Sequence, residues 1–90
     1  MYKILDAKIL AGNIYQMVVE APRVAKRCLP GQFVIVKLDE TAERVPLTIC
    51  DYDREKGTIT IIFQKVGLTT ELLADLNEGD HIQDFVGPLG

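Results

Sequence analysis

Alternation of apolar and polar side chains is the strongest pattern in this chain, and it predicts β-strands. The alternation is clearest over residues 58–65, where Ile59, Ile61 and Phe63 share one face and mostly polar residues share the other. A looser alternation on either side of a turn signal at 11–13 predicts an N-terminal hairpin. Six strands are predicted in all, over residues 2–10, 14–20, 32–38, 45–50, 58–65 and 80–86.

The apolar spacing becomes helical after the fifth predicted strand. The leucines at helical intervals are Leu68, Leu72, Leu73 and Leu76. They predict one short helix before the last strand, with a threonine as its N-cap. We expect Gly79 to adopt the left-handed conformation just past the helix. Residues 24–29 show no clear period and are predicted to form a loop or a single helical turn.

Six short strands at hairpin spacing, without alternating β and α units, favour an antiparallel barrel over a doubly wound sheet. The predicted fold class is therefore all-β: a six-stranded antiparallel Greek-key barrel with one short helix before the last strand. Ninety residues are enough for one domain with a thin core.

Charge and hydropathy narrow the range of partners. The net charge is −3, which argues against nucleic acid, because a nucleic-acid-binding domain carries a basic face. The apolar runs are far too short to cross a bilayer, and the N-terminus has no signal-peptide core. The sequence predicts a cytoplasmic protein that binds neither nucleic acid nor membrane.

Residue types that commonly carry chemistry are sparse. Cys28 and Cys50 have no metal-like spacing and are interpreted as free thiols, and His81 has no partner at ligand spacing. The charged residues over 51–56 are interpreted as a solvated loop. No catalytic residue and no metal ligand is predicted, so any chemistry is expected to belong to a cofactor.

Two stretches are suited to a ligand. Residues 44–49 place an arginine, a proline and a hydroxyl at the start of a strand, and proline ends a ladder because it has no N–H. Residues 67–70 place a glycine and two threonines where a helix begins, which is a common phosphate-binding arrangement. Each stretch alone has an ordinary structural explanation. Together they offer a flat apolar wall and a pyrophosphate cradle, which a dinucleotide needs.

Five motifs then resemble a known family. They are PGQFV (30–34), RVPLTI (44–49), VGLTTEL (66–72), GD (79–80) and DFVGPLG (84–90). In order and spacing they are similar to the FAD-binding barrel of the ferredoxin–NADP reductase superfamily. The resemblance is strongest to the electron-transfer subunit of dihydroorotate dehydrogenase and to the small subunit of NADH-dependent reduced ferredoxin:NADP oxidoreductase, also called sulfide dehydrogenase.

The resemblance implies a cofactor site for FAD, with FMN as the alternative. The first stretch, residues 44–49, would face the flavin ring. Thr48 would lie near the N5 atom of the flavin, and Leu47 would take the position where many relatives stack a tyrosine. The next strand would meet the ring and the ribityl chain, and the helix start would hold the pyrophosphate. The implied residues are Arg44, Val45, Pro46, Leu47, Thr48, Ile62, Phe63, Gln64, Gly67, Leu68, Thr69 and Thr70.

One position departs from the family pattern. The superfamily's arginine lies three residues before the hydroxyl, where this chain has Val45, and Arg44 is one residue earlier. A shift of one residue along a strand reverses the direction of the side chain. Arg44 is therefore expected to face away from the pyrophosphate, with the helix start carrying more of its charge.

The resemblance also implies a larger protein. Residues 1–90 would be the FAD-binding barrel, a fragment without the NAD(P)H-binding domain and the two-iron two-sulfur segment of full-length relatives. The implied function is electron transfer between NAD(P)H, FAD and an iron–sulfur centre, in a subunit paired with a larger catalytic oxidoreductase subunit, and the fragment alone is expected to be inactive. The alternatives are a non-redox barrel that binds a partner and a purely structural domain.

Overall fold

Antiparallel strands account for most of the computed structural model, which describes residues 2–90. Within those residues the chain forms seven strands and two helices. In chain order they are β1 (Tyr2–Ala11), β2 (Ile14–Glu20), α1 (Pro22–Arg27), β3 (Phe33–Lys37), β4 (Val45–Asp53), β5 (Thr58–Gln64), α2 (Leu68–Ala74), β6 (His81–Ile82) and β7 (Asp84–Leu89).

One sheet contains all of these strands, in the order β6-β1-β2-β5-β4-β3-β7. Strands β3, β4 and β5 lie side by side in chain order, and β5 also lies beside β2, which precedes them in the chain. This is the Greek-key arrangement. The two ends of the sheet, β6 and β7, are separated only by Gln83. Because β6 pairs with β1 and β7 pairs with β3, this bent stretch closes the sheet into a barrel. The predicted all-β barrel is confirmed.

The predicted count of six strands and one helix is wrong in detail. The stretch predicted as one strand over 80–86 changes neighbour at Gln83, so it forms two strands. The last of these continues to Leu89, three residues beyond the predicted end at 86. Sequence alternation does not record which strand lies alongside, so it could not show the change of partner.

A second helix, α1, forms where a loop or a helical turn was predicted. Pro22 fits its first turn, where a missing N–H costs nothing. Val24 and Ala25 turn into the core, and the helix packs against β5 and β7. Only two of its six residues are buried apolar groups, so its sequence carries too little period to identify a helix.

The core lies inside the barrel and follows the predicted alternation. Ile59, Ile61 and Phe63 of β5 are buried, as predicted. Ile61 lies between Met17 on β2 and Ile49 on β4, and both neighbours are also buried. The centre of the sheet is therefore packed from three adjacent strands.

Candidate functional site

The pairing between β4 and β5 ends before the stretch from Pro46 to Thr48. The ladder runs from Asp53↔Thr58 to Ile49↔Ile61 and goes no further. Ile49 donates its N–H to the Gln32 carbonyl on the β3 side, so the backbone groups of Pro46 and Thr48 face β5. Pro46 could not extend the ladder, because it has no N–H to donate. β4 and β5 are therefore unpaired at the end of the barrel where Pro46 lies.

An open face lies beside this interruption. Pro46 and Thr48 are exposed on β4, while Ile62 is half-buried and Gln64 exposed on β5. Since Ile49 and Ile61 are paired and both point inward, their neighbours Thr48 and Ile62 both point outward. We call these four residues the outer face.

Two of the predicted ring contacts point the other way. The side chain of Leu47 is buried in the core, and so is that of Phe63, whose ring stacks on Tyr15 at 5.7 Å between centroids. Leu47 therefore cannot offer its side chain to a ring in place of a stacking tyrosine. Only the backbone of these two residues borders the outer face.

A groove of about 560 Å³ adjoins the outer face. One wall is formed by the β3–β4 loop and Val45, and the other by Val66 and the start of α2. Val45 precedes Pro46 and Val66 lies two residues beyond Gln64, so both walls continue directly from the outer face. The lining residues are Asp39, Thr41, Ala42, Glu43, Val45, Val66, Gly67, Leu68, Thr69, Thr70 and Leu72.

The hydroxyl of Thr70 shapes the wall that contains α2. Its Oγ1 accepts the N–H of Val66 at 2.9 Å and that of Gly67 at 3.0 Å, and it donates to the Gly67 carbonyl at 3.0 Å. A hydroxyl has one donor and two acceptor sites, so Thr70 is fully used. Thr70 was predicted as a pyrophosphate contact, but its hydroxyl holds the loop instead.

The N-cap of α2 is Gly67 rather than the predicted threonine. The first turn leaves the N–H groups of Leu68, Thr69 and Thr70 without an intrahelical acceptor, and the described residues supply no other. Leu68, one of the leucines at helical intervals, is 73% exposed. Gly79 has a positive φ of 94° as predicted, but it lies in the turn before β6 rather than directly after α2.

The charges near the groove do not favour an anion by themselves. Its charged lining residues, Asp39 and Glu43, are both acidic. Arg44 is absent from the lining and points to Asp84, with 3.8 Å between Nη1 and Oδ2. An anion in the groove would therefore depend on the N–H groups of α2, in line with the expected direction of Arg44.

The sequence did not identify the β3–β4 loop as part of the groove. Asp39 organises this loop, since its Oδ1 accepts the N–H and the hydroxyl of Thr41 and the N–H of Ala42, each at 2.9 Å. An aspartate followed two residues later by a threonine is a signal for such a turn. The Thr41 hydroxyl, the Thr41 and Ala42 N–H groups and the charge of Lys37 together lower the pKa of Asp39.

We expect the β3–β4 loop to lose order in acid. Because the folded pKa of Asp39 is lowered, the loop is stabilised above the carboxyl's ordinary pKa, and this is lost as the pH falls through the lowered value. An NMR titration of the Asp39 carboxyl carbon measures this pKa. In Thr41→Val, which removes the first cause, the pKa should move back towards its ordinary value. An unchanged titration would contradict the assigned hydrogen bond.

The remaining residue types that carry chemistry do not assemble into a site. Cys28 is buried and Cys50 exposed, both as free thiols, and burial raises the pKa of Cys28 against the opposing charge of Arg54. Among residues 2–90, no three His, Cys, Asp or Glu side chains are grouped to hold a metal ion. No helix in that part of the chain is long and apolar enough to cross a membrane.

Comparison with known proteins relates the chain to larger ones. A scan against models of protein families finds no match. A Clostridium beijerinckii protein, named only as an uncharacterized protein in the adh 3'region, is 64% identical over 90 residues, covering 100% of this chain and 30% of the relative. A Thermotoga maritima homologue of the dihydroorotate dehydrogenase B (NAD(+)) electron transfer subunit is 42% identical over 81 residues, covering 90% of this chain and 29% of that protein. The Desulforamulus reducens dihydroorotate dehydrogenase B (NAD(+)) electron transfer subunit is 40% identical over 98 residues, covering 100% of this chain and 37% of that protein.

A solved structure agrees with these relatives. It is that of NADH-dependent reduced ferredoxin-NADP oxidoreductase, described in connection with flavin-based electron bifurcation. It superposes with a TM-score of 0.97 at 39% identity, covering 100% of this chain and 33% of that chain. The chain is a homologue of these electron-transfer proteins.

This homology confirms the resemblance predicted from the five motifs. The chain spans about a third of the length of the relatives it matches. These electron-transfer proteins therefore include the whole barrel described above and a further two-thirds of chain that is not aligned to it.

Proposed function

We propose that this chain is the flavin-binding barrel of an NAD(P)H-linked electron-transfer oxidoreductase subunit. The observation that carries the proposal is the outer face beside Pro46, joined to the groove at α2, in a chain homologous to electron-transfer subunits. An apolar wall that continues into a groove suits a ligand with a flat ring and a long polar tail.

The outer face fits the ring end of a flavin. Pro46 and Ile62 present apolar surface, and β4 and β5 are unpaired beside them. The exposed hydroxyl of Thr48 is free to donate to a ring nitrogen such as N5. A bound flavin supplies the electron-transfer chemistry, while these residues bind and orient the ring.

The groove fits the phosphate end. The N–H groups of Leu68 and Thr69 and the hydroxyl of Thr69 are the donors that would hold a pyrophosphate, with Gly67 and Thr70 shaping their loop. Val45 lines the connection between the two ends. A groove beyond the ring wall favours FAD over FMN, because only FAD has a pyrophosphate and an adenosine.

The whole protein is proposed to contain more than this barrel. Its relatives are about three times as long, which supports an NAD(P)H-binding domain and a two-iron two-sulfur segment outside residues 1–90. The relatives named as subunits support a heteromer with a larger catalytic oxidoreductase subunit. The heteromer is proposed to be cytoplasmic.

Flavin titration tests the proposal. The full chain should take up added FAD, with a change in the flavin's visible spectrum, and should bind FMN more weakly. Thr48→Ala should raise the FAD dissociation constant about threefold to tenfold, as expected for one hydrogen bond. Thr60→Ala, the same substitution nearer the β4–β5 turn, should leave the FAD dissociation constant unchanged. Failure of the unaltered chain to bind FAD would refute the proposal, and equal effects of the two variants would refute the role of Thr48.

A further inference from the structure

Basic side chains cover one end of this acidic protein. The exposed, non-proline residues of α1 are all cations: Arg23, Lys26 and Arg27. Arg54 and Lys56, in the turn between β4 and β5, meet Arg23 and Lys26 across a cleft of about 270 Å³. We call the four cleft residues, Arg23, Lys26, Arg54 and Lys56, the basic cleft.

The basic cleft reverses the charge of the rest of the chain. Its four cations and the one carboxylate beside them, Glu55, carry +3. Since the whole chain carries −3, the remaining residues carry −6. Within residues 2–90, no carboxylate lies within salt-bridge distance of any of the four cations.

Folding alone does not account for this grouping. Lys26 and Arg27 lie in the last turn of α1, where cations favour the helix dipole, but Arg23 lies in the first turn, where a cation opposes it. Arg54 is held in place, because its Nη2 donates to the Cys28 carbonyl at 2.7 Å and its guanidinium lies 5.1 Å from the centre of the Tyr52 ring. A fixed cation among like charges destabilises the fold slightly and prepares the surface for an anion.

We propose that the basic cleft docks an acidic surface of a partner protein. Charge complementarity supports this, as does the fixed guanidinium of Arg54, because a guanidinium holds a carboxylate side chain through paired hydrogen bonds. An anionic bilayer fits less well, because Glu55 would face the bilayer.

The docking surface is separate from the proposed flavin site. The cleft lies at the Asp53 end of β4, whereas the outer face lies at Thr48, five residues or roughly 17 Å along the strand. A partner and a flavin would therefore not compete. Loss of one function need not affect the other, so the two proposals can fail independently.

An NMR titration tests the docking surface. The ¹⁵N-labelled full chain is titrated with an octaglutamate peptide, with inorganic phosphate, and with phosphatidylcholine vesicles containing phosphatidylserine. The peptide should shift amides over 22–28 and 53–57, and its affinity should fall with added salt. Arg23→Glu combined with Lys26→Glu should weaken the peptide at least about tenfold. Lys8→Glu combined with Lys65→Glu makes the same charge change near the other end of the barrel, and should have little effect.

Each contrary result overturns the proposal. Equal weakening in the two double variants would mean that net charge alone attracts the peptide. Phosphate binding as tightly as the peptide at the same amides would indicate a small-anion site. Vesicle binding that depends on Arg23 and Lys26, without peptide binding, would indicate a membrane surface. Unchanged amide chemical-shift dispersion in both double variants would show that any loss of peptide binding is not a failure to fold.

Discussion

Replacing Ile61 with alanine should lower the free energy of unfolding by about 2–5 kcal/mol, which is the usual cost of removing most of a buried aliphatic side chain. Ile61 has no exposed surface and is paired with Met17 on one side and Ile49 on the other. Strands on both sides limit how far the cavity can collapse. Urea denaturation monitored by circular dichroism measures the change.

Ile9→Ala is the matched control. Ile9 lies on β1 near the hairpin turn and is 63% exposed, so the same substitution should cost less than about 1 kcal/mol. Similar losses in the two variants would mean that the core does not lie between β2, β4 and β5 as described.

Replacing Thr70 with valine should destabilise the fold by about 1–2 kcal/mol, in the range of a lost helix cap. Valine keeps the shape of threonine but can neither accept from the N–H groups of Val66 and Gly67 nor donate to the Gly67 carbonyl. The loop should loosen, and FAD should bind more weakly although the Thr70 hydroxyl donates nothing to the ligand. Urea denaturation and FAD titration give the two quantities.

Thr70→Ser separates the hydroxyl from the methyl group. Serine restores the three hydrogen bonds, so it should recover most of the stability and the FAD affinity that valine loses. A serine variant as weak as the valine variant would show that packing of the methyl group, rather than the hydrogen bonds, holds this loop.

Several features of the site followed from local chemistry. Pro46 lacks an N–H wherever it is placed in a sheet, so the sequence indicated that β4 could not donate to a neighbouring strand at this position. The offset of Arg44 from the family pattern indicated that its side chain would face elsewhere, and it points to Asp84. The first inference needed only the chemistry of proline, and the second needed the family pattern together with the alternation of a strand.

Other features depended on which segments became neighbours. The β3–β4 loop forms a groove wall only because the barrel brings it opposite α2. The basic cleft forms only because the β4–β5 turn lies beside α1, and the two segments are about thirty residues apart in the chain. No sequence period records such contacts.

By itself, the sequence determined the all-β class, most of the strands, the buried face of β5 and the position of Pro46, because these follow from side-chain period and backbone chemistry within a few residues. The tertiary structure decided that Leu47 and Phe63 face the core and that the Thr70 hydroxyl is used by the loop. It also decided that the last predicted strand divides into two at Gln83. Those outcomes depend on long-range packing and on closure of the sheet, which fix where each side chain points and which backbone groups remain free to bind a ligand.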